Sequence, residues 1–360
     1  MLYVLGGYHN TAEVTSDCYA CDLLTYVHIP VTSLPFPLYS ATALSVPRVW
    51  LLENGCETIA DVVRIPRMDT DDVLLLQTTR LLRFTNNTWQ EYSHLSDAVT
   101  KPAIGVCNEH IFIMGGSETG ISCLCYDIHD CTQTVLPDMH APSNDGIVVV
   151  NDRGIFAVTG NGCVHHLETM KVHGLGKSRV IKRWVLLRTA PEPRNGASYV
   201  SYSDRVLMIG GEHSGKVDEY NISTDIWTRL RHLPKPLSSC AAACVDGYIY
   251  VAGGIEPCAT VLDASHDEKA TTSAYRYDVH KNQWTPIADM PSARSHAVAV
   301  SWNGKLLVMG GRDIDGVDTA SVISYDPNMG VWESVSDMPY ACCPDGAVTA
   351  ARALFDDKLI

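Results

Sequence analysis

The chain has 360 residues, with 27 Lys and Arg against 41 Asp and Glu and a formal net charge of −14, a balance that argues against nonspecific binding of nucleic acid. No run of about 18 or more apolar residues occurs, so no helical membrane span is expected, and the N-terminus is an apolar run ending in glycines rather than a leader with a cleavage site. Thirteen cysteines, an odd number spread through predicted strands, fit reduced thiols better than a disulfide framework, and the expected location is the cytoplasm or the nucleus.

In chain order, a short apolar run is followed by two glycines again and again. Residues 1–5 lead to Gly6-Gly7, 111–114 to Gly115-Gly116, 206–209 to Gly210-Gly211, 248–252 to Gly253-Gly254, and 306–309 to Gly310-Gly311. Two degenerate copies fall in the gaps, Glu53-Asn54 after 49–52 and Thr159-Gly160 after 155–158. Seven doublets recur with a mean spacing of about 51 residues, the period of a propeller blade. A second signature follows several doublets. Tyr220 and Trp227, Tyr277 and Trp284, and Tyr325 and Trp332 are each seven residues apart, and Tyr19 with Tyr26, Leu82 with Trp89 and Tyr126 with Gln133 keep the spacing with weaker residues. The fourth repeat has Trp184 but Lys177 where the Tyr is expected.

Apolar runs without alternation suit strands buried on both faces. Asn303-Gly304 and Asp246-Gly247 between such runs are hairpin turns, and each Tyr-to-Trp segment is a second hairpin. Four antiparallel strands per repeat, stacked radially, make an all-β propeller. The expectation is one domain over 1–360 with seven four-stranded blades, six being the alternative. One composite blade joins 345–360 to 1–30, closing the ring by pairing the N- and C-terminal strands. The others span approximately 39–92, 101–137, 145–188, 195–230, 238–287 and 294–335.

The pattern resembles the kelch repeat over nearly the whole chain. The best copy reads Gly253-Gly254, Tyr277-Asp278, Trp284, Met290-Pro291, Arg294 and His296. The resemblance implies a module that binds a segment of a partner protein on the loop rim, in many family members as the substrate-recognition part of a cullin-type ubiquitin ligase with a BTB domain; no BTB region is expected in this chain. Several members use Arg in a Met-Pro-x-x-Arg turn to hold acidic peptides. Arg294 matches that position and Arg194 matches it loosely.

Loops after the doublets share a rim with loops after the Trp positions, and long loops on a rigid scaffold are where binding resides. The rim set is His9, Asn10, Ser117, Glu118, Arg194, Glu212, His213, Glu256, Arg294, Arg312, Asp313 and Tyr340. Long loops at 55–72 and 255–272 carry an excess of acids, which points to a partner segment of basic or mixed charge. Cys18-x-x-Cys21 and Cys163 with His165-His166 read as core rather than ligands, Asp313–Asp318 as a solvated turn, and Cys342-Cys343 as a site for an exposed thiol. No catalytic residue, cofactor, metal, nucleic-acid or membrane partner is expected. The alternatives are a kelch-type enzyme acting on a sugar, as a mutarotase or a copper oxidase with two Tyr and two His at the axis, or a cytoskeletal scaffold.

Overall fold

The computed structural model describes the strands Leu2–Tyr8, Val14–Asp22, Val27–Val31 and Thr42–Ser45 by their backbone. Beyond them it describes residues 71–107, 109–116, 120–140, 145–151, 153–160, 162–174, 177–257 and 269–351. Every regular element among the described residues is a strand. The chain divides into two compact units, Met1–Asp69 and Thr70–Ile360. In the first, Leu2–Tyr8 lies between Thr42–Ser45 and Val14–Asp22, which in turn pairs with Val27–Val31. The register is irregular between Leu5 and Gly7.

Among the described residues, the second unit holds six groups of four strands and the short pair Ile255–Glu256 with Lys269–Ala270. The innermost members of the six groups are Gly346–Ala351, Ala103–Cys107, Gly146–Asn151, Ser198–Tyr202, Ala241–Val245 and Val298–Trp302. All six contribute residues to the lining of one central cavity of about 530 Å³. From each inner strand except Gly346–Ala351, whose outward neighbours come from 71–94, the chain runs outward through antiparallel neighbours. Alternate residues of these strands pack against the group on either side: Leu207 and Ile209 meet Ile249 and Val251, while Leu306 and Val308 meet Tyr250 and Ala252. This burial on both faces is what the unalternating apolar runs require.

The seven-residue Tyr–Trp spacing is a cross-strand pair. Tyr220 lies opposite Trp227, Tyr277 opposite Trp284 and Tyr325 opposite Trp332, with ring centroids 5.3, 4.8 and 5.1 Å apart. Two weaker copies resolve differently. Phe84, not Leu82, faces Trp89, at 4.8 Å. Leu167, not Lys177, faces Trp184, because the hairpin of Cys163–Gly174 and Lys177–Thr189 is far longer than the others.

Ring closure corrects the sequence expectation. Gly346–Ala351 pairs with Asp71–Gln77, from Gly346 opposite Leu76 to Ala351 opposite Asp71, and not with the N-terminal run. Arg80–Thr85 and Thr88–His94 complete that group, so the strands at 71–94 share a sheet with the C-terminal strand. The physical reason is local. Val73, Leu74, Leu75 and Leu76 are each at most 1% exposed. The carboxylate of Asp345 accepts the backbone N–H groups of Thr78 at 2.6 Å and Lys101 at 3.0 Å, which ties the strand start to both neighbours. Asp72, placed by the sequence in an acidic loop, is fully buried and pairs with Arg83 at 2.5 Å.

Candidate functional site at the channel mouth

The glycine doublets set the geometry of the rim. Gly253 and Gly254 have φ of +65° and +99°, and a Cβ on either would lie 2.3 Å from the Arg294 carbonyl oxygen or 2.7 Å from that of Ser238. The Gly254 N–H donates to the Arg294 carbonyl at 2.9 Å. Gly211 and Gly311 donate likewise to Leu237 and Cys342, each at 2.9 Å. The doublet therefore permits backbone contact with the turn that leads into the next blade.

This contact explains why two of the expected rim residues are not on the rim. Arg194 is 8% exposed and Arg294 1%. Arg194 donates to the Gly210 carbonyl at 2.6 Å and pairs with Asp218 at 2.6 Å. Arg294 donates to the Ser321 carbonyl at 3.0 Å and to the Ser321 hydroxyl at 2.7 Å. Both guanidiniums are buried and brace the loops of their own blade from inside.

The remaining rim residues differ in how free they are. Glu212 and His213 are exposed. Glu256 is half-buried and held by Lys235 at 3.2 Å and the Thr271 hydroxyl at 2.8 Å. Arg312 is exposed and paired with Asp318 at 3.0 Å. Asp313 accepts the N–H groups of Asp315 and Val317, both at 2.9 Å, and so closes a turn. Tyr340 is 47% exposed, with the Arg80 guanidinium 5.1 Å from its ring centre. His9, Asn10, Ser117 and Glu118 lie outside the described residues, as do loop positions 55–70 and 258–268.

Packing places the Cys342-Cys343 and His165-His166 candidates, while the side chains of Cys18 and Cys21 lie outside the described residues. Cys342 is buried, and Cys343 is half-buried with its thiol 3.4 Å from Asp318. Burial and then that carboxylate push the Cys343 thiol up to about 11, which makes it a poor nucleophile at neutral pH. His165 points inward, 3% exposed. His166 points outward and stacks on Phe156 at 4.5 Å.

A set largely missed by the sequence reading meets at the channel mouth. Lys101, Asp145, Gly196, Ser239, His296 and Asp345 stand just before the inner strands, and all line the cavity. The first five have φ of +47°, +60°, +64°, +50° and +56°. Asp145 donates its N–H to the Lys101 carbonyl, Ser239 to Gly196 at 2.7 Å, and His296 to Ser239 at 2.9 Å. A left-handed residue here turns the chain from the loop into the inner strand and directs its N–H to the neighbouring blade. Glycine suits that conformation; Lys, Ser and His are strained in it by roughly 1 kcal/mol or more. The signal was present in the sequence: each of the five lies fourteen residues before the first residue of a doublet.

The mouth is of mixed charge. Burial raises the carboxyls of Asp145 and Asp345, with nearby Lys101 opposing the shift. Burial, then Lys101 and Arg312, lowers His296 to about 4, so its ring is neutral at pH 7. Among the described residues, the lining contains one histidine, His296, and one tyrosine, Tyr199.

The Kelch motif family matches residues 236–291 and 293–339, two consecutive repeats. Beta-scruin of Limulus polyphemus is 37% identical over 143 residues, which is 37% of this chain and 15% of that protein. Kelch-like protein 23 of Homo sapiens is 24% identical over 91% of this chain and 60% of its own length. The chain thus spans less than two thirds of either relative. The solved structure of YjhT covers 71% of this chain and 91% of its own, with a TM-score of 0.55 and 13% identity, a likeness of fold. With Kelch motifs over residues 236–291 and 293–339, kelch-like relatives matched along most of its length and a ring of four-stranded sheets, the chain resembles the kelch-repeat β-propellers.

Proposed function

We propose that the chain is a non-catalytic protein-interaction module that binds a short segment of a partner protein, basic or mixed in charge, across the channel mouth. The observation that carries this reading is the strained polar ring. Lys101, Ser239 and His296 occupy a backbone conformation that glycine would occupy more readily, and all face the cavity. Retaining such side chains at an energetic cost makes sense where they contact a ligand. Two carboxylates beside one lysine and a neutral histidine favour a segment with a cation among its contacts. Exposed Tyr340, Ile314 and Val317 on the rim loops supply apolar anchors.

The test replaces Lys101→Gly and His296→Gly together. The variant is expected to melt at the same temperature as the parent or higher, because strain is relieved. Proteins captured by the parent from lysate should be lost from the variant. Unchanged capture by a stable variant would refute the mouth as the binding face. Turnover of a sugar by the purified chain, with no protein captured, would favour an enzyme instead.

A further inference from the structure

One hairpin does not fit the blade pattern. Leu167 and Trp184 face each other seventeen positions apart, whereas the equivalent pairs Tyr220–Trp227, Tyr277–Trp284 and Tyr325–Trp332 are seven apart. Ten additional residues therefore lengthen this outer hairpin. The pairing continues without interruption from Leu167 opposite Trp184 to Gly174 opposite Lys177. The adjoining strand Gly154–Thr159 pairs with Cys163–Gly174 only from Val164 to Leu167. Beyond that point the two strands form a ribbon with both edges open among the described strands, extending roughly 23 Å at the usual rise per residue.

Its composition is opposite to that of the rest of the chain. From 169 to 182 there are Lys171, Lys177, Arg179, Lys182 and His173, and none of the 41 acids. The one acid at its base, Glu168, is paired with Arg183 at 3.1 Å. The register places Lys171, His173 and Lys182 on one face and Lys177 and Arg179 on the other. Lysine on a sheet edge also discourages aggregation, but three other blades manage that with four-residue outer strands, Gln133–Leu136, Ile226–Arg229 and Gln283–Pro286. Lengthening the strand creates the edge that such charges would protect.

We propose that this ribbon is a second docking site, which takes a partner-protein segment with consecutive acidic residues as an added strand on the Lys177–Thr189 edge. An added strand pairs through its backbone and presents successive side chains to opposite faces. Cations on both faces therefore select acids in succession rather than in alternation. A nucleic acid has no backbone for strand pairing, and its extended charge would meet a chain of net charge −14.

The test is fluorescence anisotropy on the full chain, with a labelled ten-residue peptide containing six consecutive glutamates. Two variants are compared with the parent: Lys171→Gln, Lys177→Gln, Arg179→Gln, Lys182→Gln together, and a shortened hairpin in which Asn-Gly replaces 170–181. Each should bind at least about tenfold more weakly with an unchanged melting temperature, and the Lys101→Gly, His296→Gly variant should bind as the parent does, which separates this site from the mouth. Equal binding by the parent and the folded variants would overturn the proposal. So would tighter binding of a single-stranded DNA of matched charge. Self-association of the parent that the shortened hairpin abolishes would assign the edge to a second copy and overturn it as well.

Discussion

The Arg194 guanidinium lies 2.6 Å from the Asp218 carboxylate, with Arg194 side-chain exposure of 7% and Asp218 of 1%. Arg229 reaches the same carboxylate at 2.5 Å. In the blade that begins at Val298, Arg294 occupies the Arg194 position, but Ile323 stands where Asp218 does. Its Nε has no hydrogen-bond partner among the described residues, and burial lowers its pKa. Removing one member of a buried pair orphans the other, at about 3–5 kcal/mol. Because Arg229 still holds Asp218, Arg194→Met should destabilise by less than that in urea unfolding, and Arg194→Met with Arg229→Met by the full amount. Arg294→Met, which leaves no carboxylate behind, should be distinctly milder.

A second contrast concerns the tryptophans. The indole N–H groups of Trp184, Trp284, Trp332 and Trp89 donate to the carbonyls of Pro137, Arg231, Ala288 and Ser336 at 2.7–2.9 Å. Each acceptor lies four residues after the Trp position of the preceding blade, so these bonds stitch blade to blade. For Trp227 that acceptor would be Arg188. Arg188 instead remains within the long strand, paired with Val164 beside a register shift, and the Trp227 N–H has no partner among the described residues. Trp284→Phe should lose about 1 kcal/mol beyond the lost apolar area. Trp227→Phe should lose less, as read by thermal melting.

Glycine replacements should separate strain from collision. Gly247 has φ +79° and open space around a Cβ, so Gly247→Ala should cost only about 1–2 kcal/mol. Gly253→Ala adds a collision with the Arg294 carbonyl and should cost substantially more, and the difference in denaturation midpoint measures how tightly the turn is seated.

The pH dependence follows from His296. Its pKa is depressed to about 4 from an ordinary 6.5. As pH falls below 6.5 the unfolded chain takes up the proton first, so this contribution to stability is lost down to about pH 4, at no more than roughly 1.4 kcal/mol per pH unit. Asp145 and Asp345, with raised pKa values, act in the opposite sense, favouring the fold as they protonate. His296→Asn should flatten the melting profile between pH 6.5 and 4. An unchanged profile would show that His296 does not control this range.

The blades were legible because their two markers are physical necessities. The doublet admits a neighbouring backbone, and the Tyr–Trp spacing is the length of a hairpin with an aromatic pair across it. The sheet that closes the second unit was not legible, because its doublet loop is shortened to Thr78-Thr79, with Thr78 itself at φ +55°. Arg294 was misassigned because a sequence motif does not tell whether a guanidinium faces solvent or a carbonyl. The mouth residues share no chemistry, only a backbone conformation and a position, so a search by residue type passed over them.

The bond from Thr78 to Asp345 spans 267 residues, and this has a consequence for synthesis. At ordinary translation rates, roughly 15 to 50 s separate the appearance of the two segments on the ribosome. For that interval the strand Asp71–Gln77 lacks its inner neighbour and offers an open apolar edge. A transcript truncated just before Gly346 would make that condition permanent. Such a product is expected to be a chaperone client or an aggregate, although every other blade in the second unit is encoded in full.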